Sequence, residues 1–242
     1  MTTIENQLQQ TNARITDACA KAGRPAQAVQ LLAVSKTFAA EAVLAALQAG
    51  QQAFGENYIQ EGVEKIAAVR ALCADLALTP ALQWHCIGPM QSNKTRLVAE
   101  NFDWAQTVDR LKIAERLSAQ RPEELAPLQV CIQVNVDGGS TKAGVAPQQA
   151  LELALAVARL PRLVLRGIMS IPDDAPGFEA QCALHQRAAA VFDAIKASGG
   201  TGLENFDTLS MGMTGDLEAA IMAGSTMVRV GSGIFGKRDY AR

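Results

Sequence analysis

The sequence predicts an α/β chain that closes as one (β/α)8 barrel over residues 1–242, with an extra helix at its start. Three observations predict it. Short runs rich in apolar and β-branched residues recur eight times along the chain. Each is followed by an Ala/Leu/Glu-rich stretch of helical period, and such alternation gives a parallel sheet. Eight units of this length suit a closed barrel. The competing arrangement is an open doubly wound sheet. Its best-known phosphate signature, G-x-G-x-x-G after the first strand, is replaced here by Ser35-Lys36-Thr37.

Ile4, Leu8, Ile15 and Cys19 share one face of the first helix, which Gly23 and Pro25 terminate. Strands are then expected at 30–35, 52–54 (running into Gly55), 82–87, 104–108, 128–136, 163–171, 206–210 and 227–230. The crossover helices are amphipathic. Leu151, Ala154, Leu155 and Ala158 mark the packed face of one, and Leu217, Ala220, Ile221 and Gly224 that of another. Pro147 opens the former, where its missing N–H leaves no bond unmade. Residues 138–144 form the most loop-like stretch.

Composition excludes more than it selects. A net charge of -2 gives no electrostatic reason to expect nucleic acid or an anionic membrane. Cys19, Cys73, Cys86, Cys131 and Cys182 are scattered and odd in number, which argues against a disulfide framework and for a reducing, cytoplasmic setting. Residues 1–20 are polar, without an apolar signal core, and no stretch is apolar for long enough to span a bilayer. Two histidines without ligand spacing predict no metal site. His85 reads as a hydrogen-bonded core residue and His185 as a helix-flank residue. No G-x-S-x-G nucleophile elbow occurs.

In a parallel barrel the C-terminal strand ends share one face, and chemistry collects there. The first strand ends at Lys36 and the second runs into Glu56-Asn57. The third carries His85, the fourth ends at Asp109, and the fifth ends near Asn135 and Asp137. The sixth ends at Met169-Ser170, the seventh at Ser210-Met211-Gly212-Met213-Thr214, and the eighth at Arg229-Val230-Gly231-Ser232-Gly233. Lys36 follows the apolar run Leu31-Leu32-Ala33-Val34. Desolvation there would make its amine a nucleophile toward an aldehyde; alternatively it snorkels to solvent or pairs with Glu56. The glycine turns at 212–216 and 231–233 fall in the two loops where barrels hold phosphate, with Thr214 as N-cap of the following helix; alternatively they are ordinary turns. Arg229, inward in an apolar strand, needs an acceptor, either a ligand atom or a core carboxylate.

The runs Leu32-Ala33-Val34-Ser35-Lys36-Thr37, Phe54-Gly55-Glu56-Asn57-Tyr58, Trp84-His85-Cys86-Ile87-Gly88-Pro89-Met90-Gln91-Ser92-Asn93-Lys94 and Ser210-Met211-Gly212-Met213 resemble the YggS/PROSC family of pyridoxal phosphate homeostasis proteins. So does the segment from Gly224 to Gly236, and together they cover nearly the whole chain in order. Thr214 departs from the Ser usual there, and Gly215 from a more polar residue. The resemblance implies a barrel like the N-terminal domain of alanine racemase without that enzyme's second domain. It implies pyridoxal 5′-phosphate as cofactor, joined to Lys36 as an imine. The phosphate would lie among Ser210, Met211, Gly212, Met213, Thr214, Gly231 and Ser232, with Arg229 near the ring nitrogen. Asn57 and Ser170 complete the expected cofactor-binding set.

Three functions fit these residues: a cofactor carrier or buffer in vitamin B6 homeostasis, a pyridoxal-phosphate-dependent amino-acid racemase, and a cofactor-free Schiff-base aldolase. The carrier leads, with binding expected and turnover not, because the barrel leaves no chain for the side opposite the lysine. The expected partners are the cofactor and the apo-enzymes that receive it, and the chain is expected to act as a monomer. Lys142 is a candidate for taking the aldehyde from Lys36 during release, or a plain solvated loop lysine.

Overall fold

The computed structural model describes residues 3–139 and 143–236. Eight parallel strands close in sequence order: β1 (Gln30–Val34), β2 (Ala53–Glu56), β3 (Gln83–Cys86), β4 (Trp104–Val108), β5 (Leu128–Gln133), β6 (Leu163–Met169), β7 (Thr208–Ser210) and β8 (Met227–Val230). The N-terminal helix α1 spans Ile4–Lys21 and buries Leu8, Ile15 and Cys19 as the apolar spacing requires. The outer helices are α2 (Ala40–Gln48), α3 (Ile59–Asp75), α4 (Thr95–Asn101), α5 (Leu111–Gln120), α6 (Pro147–Val157), α7 (Phe178–Ala197) and α8 (Leu217–Met222). A last short turn of helix, α9, covers Ser232–Phe235. The predicted fold class is therefore correct.

Alternation within the strands builds two apolar layers. In β1, Leu31 and Ala33 join the large core between barrel and helices, while Leu32 and Val34 join Ala53, Ile87 and Met227 in a separate cluster. A third cluster holds Trp104, Cys131 and Met169. Closure pairs Leu32 with Arg229 and Ala33 with Val230, which brings the end of β1 beside the end of β8. A Cβ on Gly231 would lie 3.2 Å from the Val34 carbonyl oxygen. The chain crossing from β8 to α9 thus lies directly against the strand that carries Lys36.

Strand boundaries differ where apolar residues outlast the ladder. β5 stops at Gln133, and Val134 keeps only an isolated bridge to Val145. β6 stops at Met169, before Ser170-Ile171. β2 is displaced to Ala53–Glu56, so Glu56 is a strand residue. On α6, Pro147 stands in the first turn as expected, but Leu151 is exposed and Ala150, Leu153, Ala154 and Val157 form the buried stripe. The five cysteines are free and buried. Among the described residues no helix is long and apolar enough to cross a membrane.

Candidate functional site

A cavity of about 670 Å³ opens at the C-terminal ends of the strands. Its walls are Val34, Lys36, Phe38, Asn57, Ile87, Ile171, Met213, Thr214, Gly215, Arg229, Gly231, Ser232 and Gly236. Lys36, Asn57, Met213, Thr214, Arg229, Gly231 and Ser232, all expected from the sequence, come together there. Ser170, Ser210, Met211 and Gly212 do not line it; the first three are fully buried behind the wall. Asp109 and Asn135 also lie elsewhere. Asp109 pairs with Arg110, and Asn135 bonds within its own loop. Lys142 falls outside the described residues.

Arg229 forms one wall. Its Nη1 donates to Ser210 Oγ and its Nη2 to the Ser170 carbonyl, both at 2.8 Å. No carboxylate lies within ion-pairing distance of it among the described residues, so the core salt bridge is not made. Burial lowers its pKa to about 10, which still leaves it charged at neutral pH. Arg229 also lines the cavity. Ser210 passes the constraint inward. A guanidinium only donates, so Ser210 Oγ accepts from it and gives its own proton to Gln106 Oε1 at 2.8 Å. That fixes the Gln106 amide, whose Nε2 then faces His85 Nδ1 at 2.9 Å. Nδ1 must accept, so His85 is the neutral Nε2–H tautomer. Burial favours the same form, lowering the His85 pKa to about 3. His85 is the hydrogen-bonded core histidine expected. Ser170 Oγ, beside Arg229, is buried without a partner among the described residues.

The glycine turns after β7 and β8 approach each other at the cavity. Thr214 Oγ1 and Ser232 Oγ stand 3.5 Å apart, and the N–H groups of Thr214 and Gly215 have no acceptor among the described residues. Gly212 holds φ at +92°, and a Cβ there would sit 2.4 Å from Ala220 Cβ. Only glycine lets the loop leave β7 this close to α8. Thr214 is not the N-cap of that helix. The helix starts later, at Leu217, with Asp216 at the cap position. Asp216 Oδ1 reaches back to the Met213 N–H at 2.6 Å, taking one donor that the sequence reading assigned to phosphate. His185 is not a flank residue either. It is 1% exposed, and its Nε2 meets Asp216 Oδ2 at 3.0 Å. Burial alone would raise the Asp216 carboxyl pKa, but the bonds from His185 and Met213 outweigh it and hold it below the usual range.

Lys36, just past the end of the neighbouring strand β1, also lines the cavity, and Glu56 is paired to another lysine. Lys65, buried on α3, donates to Glu56 Oε1 at 2.8 Å, to Glu61 Oε1 at 2.9 Å and to the Ser35 carbonyl at 2.6 Å. Ser35 Oγ adds a 2.6 Å bond to Glu56 Oε1. Burial outweighs these partners and raises the Glu56 pKa. Sequence reasoning missed Gln106, Lys65, Glu61 and the His185–Asp216 pair. Gln106 did carry a signal, since an amide inside the apolar strand 104–108 needs a buried partner as Arg229 does.

Residues 7–239 match the family model described as alanine racemase, N-terminal domain. The chain is 52% identical over 242 residues to the pyridoxal phosphate homeostasis protein of Vibrio cholerae, covering 100% of this chain and 99% of that protein. Among solved structures it is similar to PipY of Synechococcus elongatus with PLP bound. That likeness has a TM-score of 0.75 and 33% identity over 92% of this chain and 100% of that one. Alanine racemase of Clostridium difficile shares the fold at a TM-score of 0.66 and 14% identity, with 96% of this chain covering 57% of that one.

Proposed function

This chain belongs to the family of pyridoxal phosphate homeostasis proteins, within the wider group of alanine racemase N-terminal domains, and from that premise we propose that it holds pyridoxal 5′-phosphate on Lys36 and carries or buffers it without appreciable turnover. The cofactor would supply an aldehyde that condenses with amines and a ring that withdraws electrons from the adjoining carbon. The residues present fit it. Lys36 supplies the amine at the mouth of an apolar strand. The unbonded N–H groups of Thr214 and Gly215, with the Thr214 and Ser232 hydroxyls, suit a phosphate dianion. Arg229 suits an unprotonated ring nitrogen, because it can only donate. Ser170, Ser210, Met211 and Gly212 act from behind, by setting Arg229 and the loop backbone, and Asn57 supplies a polar side chain beside Lys36.

One observation favours carrying over catalysis. Among the described residues, Lys36 and Arg229 are the only titratable side chains on the cavity wall. Racemisation needs a second acid/base group facing the lysine across the substrate, and a guanidinium is a poor one. A donor at the ring nitrogen also disfavours its protonation and so weakens the electron sink. The recipient of the cofactor would then be an apo-enzyme, and the setting cytoplasmic, where such enzymes need it.

The test is the visible spectrum of the purified protein with pyridoxal phosphate, then borohydride reduction and peptide mapping. A yellow imine band and a label on Lys36, both lost in Lys36→Ala, are expected. Incubation with L-alanine and other L-amino acids should give no D-isomer beyond a trace. Multiple-turnover racemisation that vanishes in Lys36→Ala would replace this reading with the enzyme one.

A further inference from the structure

We propose that Glu61 and Lys65, on the outer helix α3, are positioning residues that clamp the backbone on both sides of Lys36 and hold its neighbour Thr37 in a left-handed conformation. The inference rests on Lys36 being the amine that takes the aldehyde.

The two peptide groups flanking Lys36 are both bound by this pair. On the N-terminal side the Ser35 carbonyl accepts from Lys65 Nζ at 2.6 Å. On the C-terminal side the Thr37 N–H donates to Glu61 Oε1 at 2.5 Å. Lys65 and Glu61 are themselves joined at 2.9 Å, so the clamp is a closed arc across the Lys36 turn. Glu56, bonded to both Lys65 and Ser35 Oγ, anchors it to β2.

The turn needs such a clamp. Thr37 has φ at +68°, a region that a β-branched residue avoids because its Cβ crowds the following carbonyl. A strained residue persists only where its surroundings over-determine it. Relaxed to negative φ, Thr37 would rotate the peptide that joins it to Lys36 and turn the lysine Cα–Cβ bond away from the cavity wall. The covalent step is simple: the Lys36 amine adds to the aldehyde carbon, a C=N bond forms and water leaves. The clamp touches none of these atoms. It sets how often Nζ stands within reach of that carbon. Nor does Lys65 compete as a second amine, since its N–H groups are bound to three acceptors.

The test uses the full chain and two ligands. Pyridoxal phosphate reports imine formation through its absorbance. Pyridoxine phosphate, an alcohol in place of the aldehyde, reports noncovalent binding alone. Glu61→Ala should slow and weaken imine formation on the order of tenfold, the scale set by one left-handed residue. Its affinity for pyridoxine phosphate should stay as in wild type. Glu61→Gln, whose amide oxygen can still accept the Thr37 N–H, should retain most of the imine. Adding Thr37→Gly to Glu61→Ala should restore it, because glycine holds positive φ without a tether. Thr37→Gly alone, which leaves the clamp intact, should form the imine at least as well as wild type. Wild-type imine formation in Glu61→Ala, equal loss for both ligands, or no recovery with Thr37→Gly would overturn the clamp. Borohydride trapping on a lysine other than Lys36 in wild type would instead overturn the parent reading, and the clamp with it.

Discussion

Two buried cations frame the cavity, and they are treated in opposite ways. Lys65, behind the Lys36 wall, meets two carboxylates and a carbonyl. Arg229, on the neighbouring strand β8, meets a hydroxyl and a carbonyl and pairs with no carboxylate among the described residues. The first charge is neutralised within the protein and serves architecture. The second is held in place by neutral acceptors, with the Asp216 carboxylate acting on it without a direct bond. A buried guanidinium with no directly paired carboxylate among the described residues is expensive to keep, which is consistent with the ring-nitrogen role proposed for it.

The largest effect should follow from breaking the internal pair. Lys65→Met leaves Glu56 buried beside Glu61 with no cation, which costs about 3–5 kcal/mol. Arg229→Met removes a charge that no carboxylate among the described residues pairs with directly, so the ligand-free protein should change by about 1 kcal/mol or less, two neutral-acceptor bonds being traded against relief of desolvation. Urea unfolding of the ligand-free variants measures both. Comparable losses would mean that Arg229 is also neutralised from within, with Asp216 as the nearest source.

The next effect sharpens the ligand side. If the loops at 212–216 and 231–233 hold a phosphate, pyridoxal lacking the phosphate should bind at least about 100-fold more weakly, as expected for loss of several charge-assisted hydrogen bonds. Competition against pyridoxal phosphate, followed by the imine band, measures this. Near-equal affinities would break the assignment of the loops at 212–216 and 231–233 to phosphate.

These walls were unequally legible in the sequence. Lys36 and Arg229 stood out because a charged residue in an apolar strand must have a purpose or a partner. The turn glycines were legible because their positions after the last two strands carry a physical meaning. Lys65 and Glu61 were legible only as an exposed-looking helical pair at i,i+4 spacing; that the pair folds over the β1 turn depends on how α3 packs. Thr37 gave no sign of its left-handed φ, since threonine disfavours it. His185 and Asp216 are 31 residues apart, and their contact exists only once α7 lies against α8. The barrel itself was legible from alternation, but its strand ends were not. Val134 to Val136 look like strand, yet the backbone leaves the ladder first.

The two walls should also differ in sign with pH. Burial lowers the His85 pKa to about 3, whereas the unfolded chain takes up its proton near the ordinary 6.5. Between those values the unfolded state binds more protons. His85 therefore adds stability at neutral pH that is lost as pH falls from about 6.5 toward about 3, at up to about 1.4 kcal/mol per unit. Glu56 runs the other way. Its raised pKa means its contribution is full below the ordinary carboxylate value and is lost as pH rises through the folded one. Unfolding at pH 7 and pH 5 should show the first slope in wild type and less of it in His85→Gln. An unchanged slope would mean that His85 is not locked neutral by the Arg229–Ser210–Gln106 chain.

The smallest effect concerns a single hydroxyl on the ligand wall. Thr214 Oγ1 lies 3.5 Å from Ser232 Oγ, at the edge of hydrogen bonding, so the two hydroxyls are not held by each other. Nor does Thr214 cap a helix, because that role falls to Asp216. A side chain without a structural duty on a cavity wall can be trimmed without unfolding the protein. Thr214→Ala should leave urea unfolding within about 0.5 kcal/mol of wild type. If the hydroxyl donates to a phosphate oxygen, the same change should weaken pyridoxal phosphate by roughly 1.5–3 kcal/mol at most, and by less where water replaces the bond. Pyridoxal binding should not change. Thr214→Ser keeps the donor and removes only a methyl group that faces Gly233, so it should bind as wild type does. Loss of affinity in Thr214→Ser equal to that in Thr214→Ala would assign the effect to the methyl group packed against Gly233, and the hydroxyl would drop out of the ligand wall.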